Sequence, residues 1–169
     1  MSVQDLNELF EHELKDIYFA EQKLVAALQE LAGESTEPEI KKAFADHQKE
    51  TVNHVRRLER VFRSFGEPPE AEVCQGIEGL LREKKSFSKE KPTPQILDYY
   101  NLGAGAKTER YEITAYESLV AMARKLKMTQ AVELLRENLL EEQAALRKLK
   151  ALARGFNTAQ ITGAKTPAK

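Results

Sequence analysis

Apolar residues recur along this chain in steps of three and four. The first series is Leu6, Phe10, Leu14, Ile17, Leu24, Leu28 and Leu31. That spacing puts one apolar stripe on a helix. It predicts a helix from about Val3 to Ala32, with Ser2 as its N-cap and Gly33 as a left-handed terminator. Thr36-Glu-Pro-Glu39 reads as a capping box with proline in the first turn, opening a second helix. Its line is Ile40, Phe44, Leu58, Val61 and Phe65, ending at Gly66 before Pro68-Pro69. The link between the two helices is short, so they are antiparallel neighbours.

Residues 66–93 form a long connection, within which Ala71 to Lys85 can make a short amphipathic helix through Val73, Cys74, Ile77, Leu80 and Leu81. Thr93-Pro94 then supplies an N-cap and an N1 proline. The helix it opens extends through Leu102, Ala106, Ile113, Tyr116, Val120 and Ala123 to about Lys127. Gly103 and Gly105 fall inside it, each at a cost of ~1 kcal/mol relative to Ala. Close approach of a neighbouring helix or of a dimer partner would justify them. Thr129 is expected to cap the last helix, whose stripe is Leu135, Leu139, Leu146, Leu149 and Leu152 and whose end is Gly155. Two hairpins joined by a long crossover make an all-α, ferritin-like four-helix bundle over residues 1–155, with 156–169 as a flexible tail.

Composition narrows the function. Charged residues make up 31% of the 169 residues and aromatics 7%, and the formal net charge is −1. A balance so close to neutral offers nucleic acid no basic face. Lys84-Lys85 and Lys89 to Lys91 read as a solvated connector. The single cysteine, Cys74, can form no internal disulfide, which suits a reducing compartment and a buried apolar role. The N-terminus is acidic and amphipathic, unlike a signal peptide, and no apolar run reaches the ~18 residues that span a bilayer. The expected setting is cytoplasmic, away from membranes.

The chemistry lies in charge at core positions. Glu21 sits on the first stripe between Ile17 and Leu24. Glu50 lies on the second helix, flanked by His47 and His54. Glu109 and Glu112 are one turn apart on the third long helix, and Glu142 lies between Leu139 and Leu146 with Glu141 beside it. An isolated buried carboxylate is very costly, and four helices each carry one near mid-length. Such carboxylates need cations or protons to coexist. Two divalent ions would neutralise four glutamates, and a mixed carboxylate and imidazole set suits iron or manganese. His47 and His54 are ~10 Å apart along the axis and cannot share an ion. Glu50 lies between them, and His54, on its C-terminal side, is the favoured ligand of the pair. His12 has surface neighbours and is expected to be solvated, and Tyr116 to be a core aromatic near the centre.

The segments DIYFAEQKLVAAL, AFADHQKETVNHVRRLERVF, VCQGIEGL, ERYEITAYESLVAMA and LLRENLLEEQAALRKL, spread in order over residues 5–153, resemble the YciE/YciF family of bacterial ferritin-like, stress-associated proteins. The resemblance implies a homodimer with a dinuclear carboxylate site like that of rubrerythrin, ligated by Glu21, Glu50, Glu109 or Glu112, and Glu142. The sequence departs from the rubrerythrin pattern at Asn53, where Glu-x-x-His would place histidine, and at Ala145, where a second such motif would end. Two functions follow as expectations. One is a di-iron or iron/manganese protein of ferroxidase or peroxidase type, acting with oxygen or peroxide. Its electrons would come from a separate donor, because the chain has no CxxC pair. The other is a non-enzymatic bundle whose acidic core is vestigial or holds a structural cation. A storage cage would require a further helix after residue 155.

Overall fold

The computed structural model describes residues 3–162, with five α-helices and no strand among them. Helix α1 spans Leu6–Glu34, and its N-cap is Asp5, whose side chain accepts from the amides of Asn7 (2.8 Å) and Glu8 (2.9 Å). A carboxylate satisfying two first-turn donors fixes the start there; Ser2, the expected cap, lies outside the described residues. The other end also differs from expectation. Gly33 is an ordinary helical residue, and the chain leaves the helix at Ser35 in extended conformation. Both the amide and the hydroxyl of Ser35 bond to the Leu31 carbonyl, so no left-handed residue is needed.

Helix α2 spans Pro38–Ser64, and the expected Thr36 capping box does not form. Asp98, fully buried and borne on a later helix, accepts instead from the Thr36 amide and hydroxyl and from the Glu37 amide at 3.0 Å. A buried carboxylate is a stronger acceptor than a threonine hydroxyl, so the first hairpin is capped by the second. Gly66 ends α2 at φ +87°, as its position predicts. Helix α3 spans Gln75–Ser88, later than the expected Ala71 start, because the Glu72 amide is pinned to the Lys15 carbonyl at 3.2 Å and holds that stretch off helix. The Cys74 sulfur sits at its N-cap, accepting from the Ile77 amide.

Helix α4 spans Pro94–Lys125 with Thr93 as its side-chain cap, as expected. Helix α5 spans Thr129–Gly155; Thr129 is its first helical residue rather than its cap, because Lys127 at φ 58° turns the chain so tightly that Met128 takes the cap position. A 3₁₀ turn, Thr158–Gln160, lies within the stretch expected to be a free tail. None of the described helices is long and apolar enough to cross a membrane.

Helix α1 packs on α2, α2 on α5, α5 on α4 and α4 back on α1, while α3 rests against α4. Two apolar clusters fill the interior. The larger joins Phe10, Leu14 and Ile17 to Leu58, Phe62, Leu119 and Leu135. The smaller joins Leu28, Leu31, Ile40, Phe44, Leu102 and Leu149. Gly105 belongs to the second: a Cβ there would lie 2.9 Å from Leu149 Cδ1 and 3.3 Å from Phe44, so its close approach is within the chain. Gly103 faces open space.

The inter-hairpin cap yields a first prediction. Asp98→Ala strands several donors and should destabilise the protein by about 1–3 kcal/mol. Urea denaturation should show the midpoint falling with unchanged slope; a loss below about 0.5 kcal/mol would show that the cap does not join the hairpins.

Candidate metal centre

Between the two apolar clusters lies a layer that is almost wholly polar and almost wholly buried. Each long helix changes character there. On α1 the interruption is Glu21 (0% exposed), and on α2 it is His47 (7%) and His54 (0%). On α4 it is Glu109 (2%) and Glu112 (1%), and on α5 it is Glu142 (0%). The seven-residue step from His47 to His54 is two turns, which holds both rings on the stripe running from Phe44 to Leu58. Thr51 takes the stripe position between them and satisfies its own hydroxyl on the His47 carbonyl at 2.9 Å.

The side chains gather into two trios that share Glu142. In one, His54 Nδ1 lies 2.8 Å from Glu142 Oε1 and 3.2 Å from Glu21 Oε1. In the other, His47 Nε2 lies 3.3 Å from Glu142 Oε2 and 3.2 Å from Glu109 Oε1. In each trio one ligand atom per residue lies within 4.8 Å of the other two. These short approaches are not all hydrogen bonds. His54 Nδ1, both oxygens of Glu142, Glu21 Oε2, Glu109 Oε2 and Glu112 Oε1 are buried without a hydrogen-bond partner. Buried lone pairs that converge on common points without hydrogen-bond partners form a donor set that could hold a cation.

The outer ring atoms of both histidines are tied down. His54 Nε2 pairs with Glu141 Oε2 at 2.8 Å, and Arg57 grips both oxygens of Glu141 at 2.7 and 2.9 Å. That pairing leaves Nδ1 as the ring atom facing Glu21 and Glu142. His47 Nδ1 pairs with Glu50 Oε2 at 3.0 Å, leaving Nε2 for Glu109 and Glu142. The Tyr116 hydroxyl donates to Glu21 Oε1 and accepts from Asn138 Nδ2 at 2.9 Å; Arg57 in turn holds the Asn138 oxygen at 3.0 Å.

Metal-free, the layer is electrostatically strained. Burial raises the Glu21 carboxyl, and burial together with the Glu142 charge raises Glu109 and Glu112 well above the ordinary carboxylate range. Burial would also raise Glu142, but the close approach of Glu109 and both imidazoles outweighs it and holds that group below the ordinary range. Burial lowers His54, yet the surrounding carboxylates, Glu21 foremost, push it up to about 12. Glu109, whose charge offsets the same burial, leads the rise at His47. Without a cation, these shifts would favour protons in the places cations would take.

Of the residues expected from sequence, Glu21, His47, His54, Glu109 and Glu142 are brought together, and buried Glu112 lies near enough to feel their charges without joining either trio. Glu50 is not brought in: its side chain is 47% exposed and reaches the centre only through His47. The helical angle explains the difference, since Thr51 rather than Glu50 fits between the two rings. The histidines sit in separate trios, with ring centroids 6.0 Å apart. His12 is half-exposed beside Glu72, as expected. Asn138 and Arg57 were not legible as site residues, although Asn138, a buried amide one turn before Glu142, is a polar interruption of the kind that singled out the glutamates.

Comparison with known proteins places the chain in a family. The family model described as a domain of unknown function, DUF892, matches residues 5–162. Protein YciF of Escherichia coli K12 is 32% identical over 154 residues, 90% of this chain and 93% of that one. The crystal structure of the E. coli stress protein YciF superposes with a TM-score of 0.86, at 31% identity and covering 90% of this chain and 96% of the other. YcfI from Rhodopseudomonas palustris gives the same TM-score of 0.86 at 33% identity, over 88% of this chain and 95% of its own. The protein therefore belongs to the DUF892 family of YciF-like helical proteins.

Proposed function

We propose that this chain is a stress-associated protein with a dinuclear carboxylate centre that oxidises ferrous iron with oxygen or peroxide. The observation that carries the reading is Glu142, whose two oxygens face two different imidazoles and have no hydrogen-bond partner. One ion would be held by Glu21, His54 and Glu142, the other by His47, Glu109 and Glu142, with Glu112 at hand for either. Iron supplies one-electron chemistry between its ferrous and ferric states, and manganese suits the same donors. The E. coli relative described as a stress protein supports the cellular setting.

The chain's own contributions are charge and orientation. Four buried carboxylates balance two divalent ions. Glu141 and Arg57 fix the His54 ring, Glu50 fixes His47, and Tyr116 fixes Glu21, so little rearrangement is needed when ions bind. Cys74 does not serve as a redox group: it is fully buried, and burial raises its thiol. Electrons beyond those of ferrous iron would come from a separate donor.

Anaerobic titration with ferrous iron should load about two ions per chain, as in di-iron carboxylate bundles. Glu142→Ala should lose both, whereas Glu21→Ala and Glu109→Ala should each lose one. Peroxide added to the loaded protein should raise ferric absorbance in the wild type and not in Glu142→Ala. Loading below one ion in the wild type contradicts the centre, and full loading with no oxidation leaves a structural cation site instead.

Protonation makes a second prediction about the metal-free chain. His54 rises from 6.5 unfolded to about 12 folded, so its contribution is complete below 6.5 and is lost as pH rises toward 12. The raised Glu109 and Glu112 act in the same direction, beginning above their unfolded 4.5. Thermal unfolding in chelator should therefore show Tm falling from about pH 5 to about pH 9. Metal-loaded protein should show the opposite trend, because ligands must shed protons to bind. A flat metal-free profile would contradict the burial of these groups.

A further inference from the structure

A cleft of about 620 Å³ opens between α1, α3 and α4 and ends on His47, Glu109 and Glu112. Water occupies about 30 Å³ in the liquid, so this space is roughly tenfold larger than the two-oxygen dioxygen or peroxide needs. It falls within the ~300–1,000 Å³ of sites for small organic molecules. The apolar part of its wall is formed by Leu24, Leu28 and Leu31 of α1, Leu80 and Leu81 of α3, and Ala104 of α4. The floor is reached by Glu109 and Glu112, each at least 98% buried and each carrying an oxygen without a partner.

The rim is charged but compensated. Lys23 pairs with Glu78, Lys84 with Glu34 and Lys107 with Glu83, and Arg82 reaches Glu78 at 4.0 Å. Lys85 and Glu30, of opposite sign, complete it. The three lysine pairs cross from α3 to α1 or α4 and help hold α3 as the roof, for Ile77 is its only fully buried residue. A tunnel for metal ions would carry uncompensated acid, and a site for anions uncompensated base; this one is nearly balanced. At the floor, two divalent ions would cancel four carboxylates, leaving no charge for a ligand's head group to match.

We propose that the cleft binds an uncharged amphiphile, with an apolar body and a hydroxyl-type polar end, and presents that end to the dinuclear centre. The neutral head group rests on the dinuclear reading above; the cleft and its walls do not. The substrate class of the centre would then include an organic molecule in addition to the oxidant.

The test uses the full-length, iron-loaded protein under anaerobic conditions, with the uncharged fluorophore 1-aminoanthracene as probe. Binding should saturate near one probe per chain, and 1-octanol should displace it at least tenfold more effectively than octanoate or octylammonium. Ala104→Trp and, from the facing wall, Ala27→Trp fill the cleft without touching a ligand. Each should weaken probe binding at least tenfold while the iron count stays as in the wild type. Saturable binding unaffected by either variant, preference for a charged octyl compound, or no saturable binding overturns the proposal. Iron bound without the probe rejects the cleft and spares the centre. The probe bound without iron rejects the centre, and with it the assigned head group.

Discussion

Everything in the middle of this protein is arranged around one carboxylate held between two imidazoles. Glu142 on α5 faces His54 with one oxygen and His47 with the other, and both histidines come from α2. For that to happen, α2 and α5 must pack side by side in a single register, and α1 and α4 must bring Glu21 and Glu109 to the same height. Slipping any helix by one turn, ~5.4 Å, would leave a buried charge without its partner. The apolar clusters on either side supply the burial that makes the arrangement rigid. The centre decides how they align.

Such a layer is an unfavourable way to build a core. Desolvated carboxylates cost several kcal/mol each unless paired, and hydrophobic residues of similar volume would pack more stably. The protein offsets part of this through protons and imidazolium pairs, which is why His47 and His54 are raised while Glu142 stays low. Metal ions would offset it more completely, tying the binding free energy to folding. Stability given up where His47, His54 and Glu21 are held by neighbours is what a functional site would show.

Much of this was legible in the chain. The four stripes gave the long helices, and Gly66 and Thr93-Pro94 placed two boundaries correctly because their conformational demands are local. Gly33, Thr36 and Thr129 misled for different reasons: Ser35 closes its helix end locally on Leu31, Asp98 reaches Thr36 from another helix, and the left-handed Lys127 makes a competing turn. At the site, burial of charge on a stripe picked out the glutamates, but one residue of helical phase separated Glu50 from the interior. The weight then passed to the two histidines. Arg57 and Asn138 escaped notice because their part depends on α2 meeting α5, which no single stripe encodes.

The most direct test is an anomalous-difference map from crystals of the chain loaded anaerobically with ferrous iron. The account predicts two iron peaks, each bonded to a different oxygen of Glu142, one beside Glu21 and His54 and the other beside His47 and Glu109. A single peak, or a Glu142 carboxyl that ligates neither ion, would contradict it.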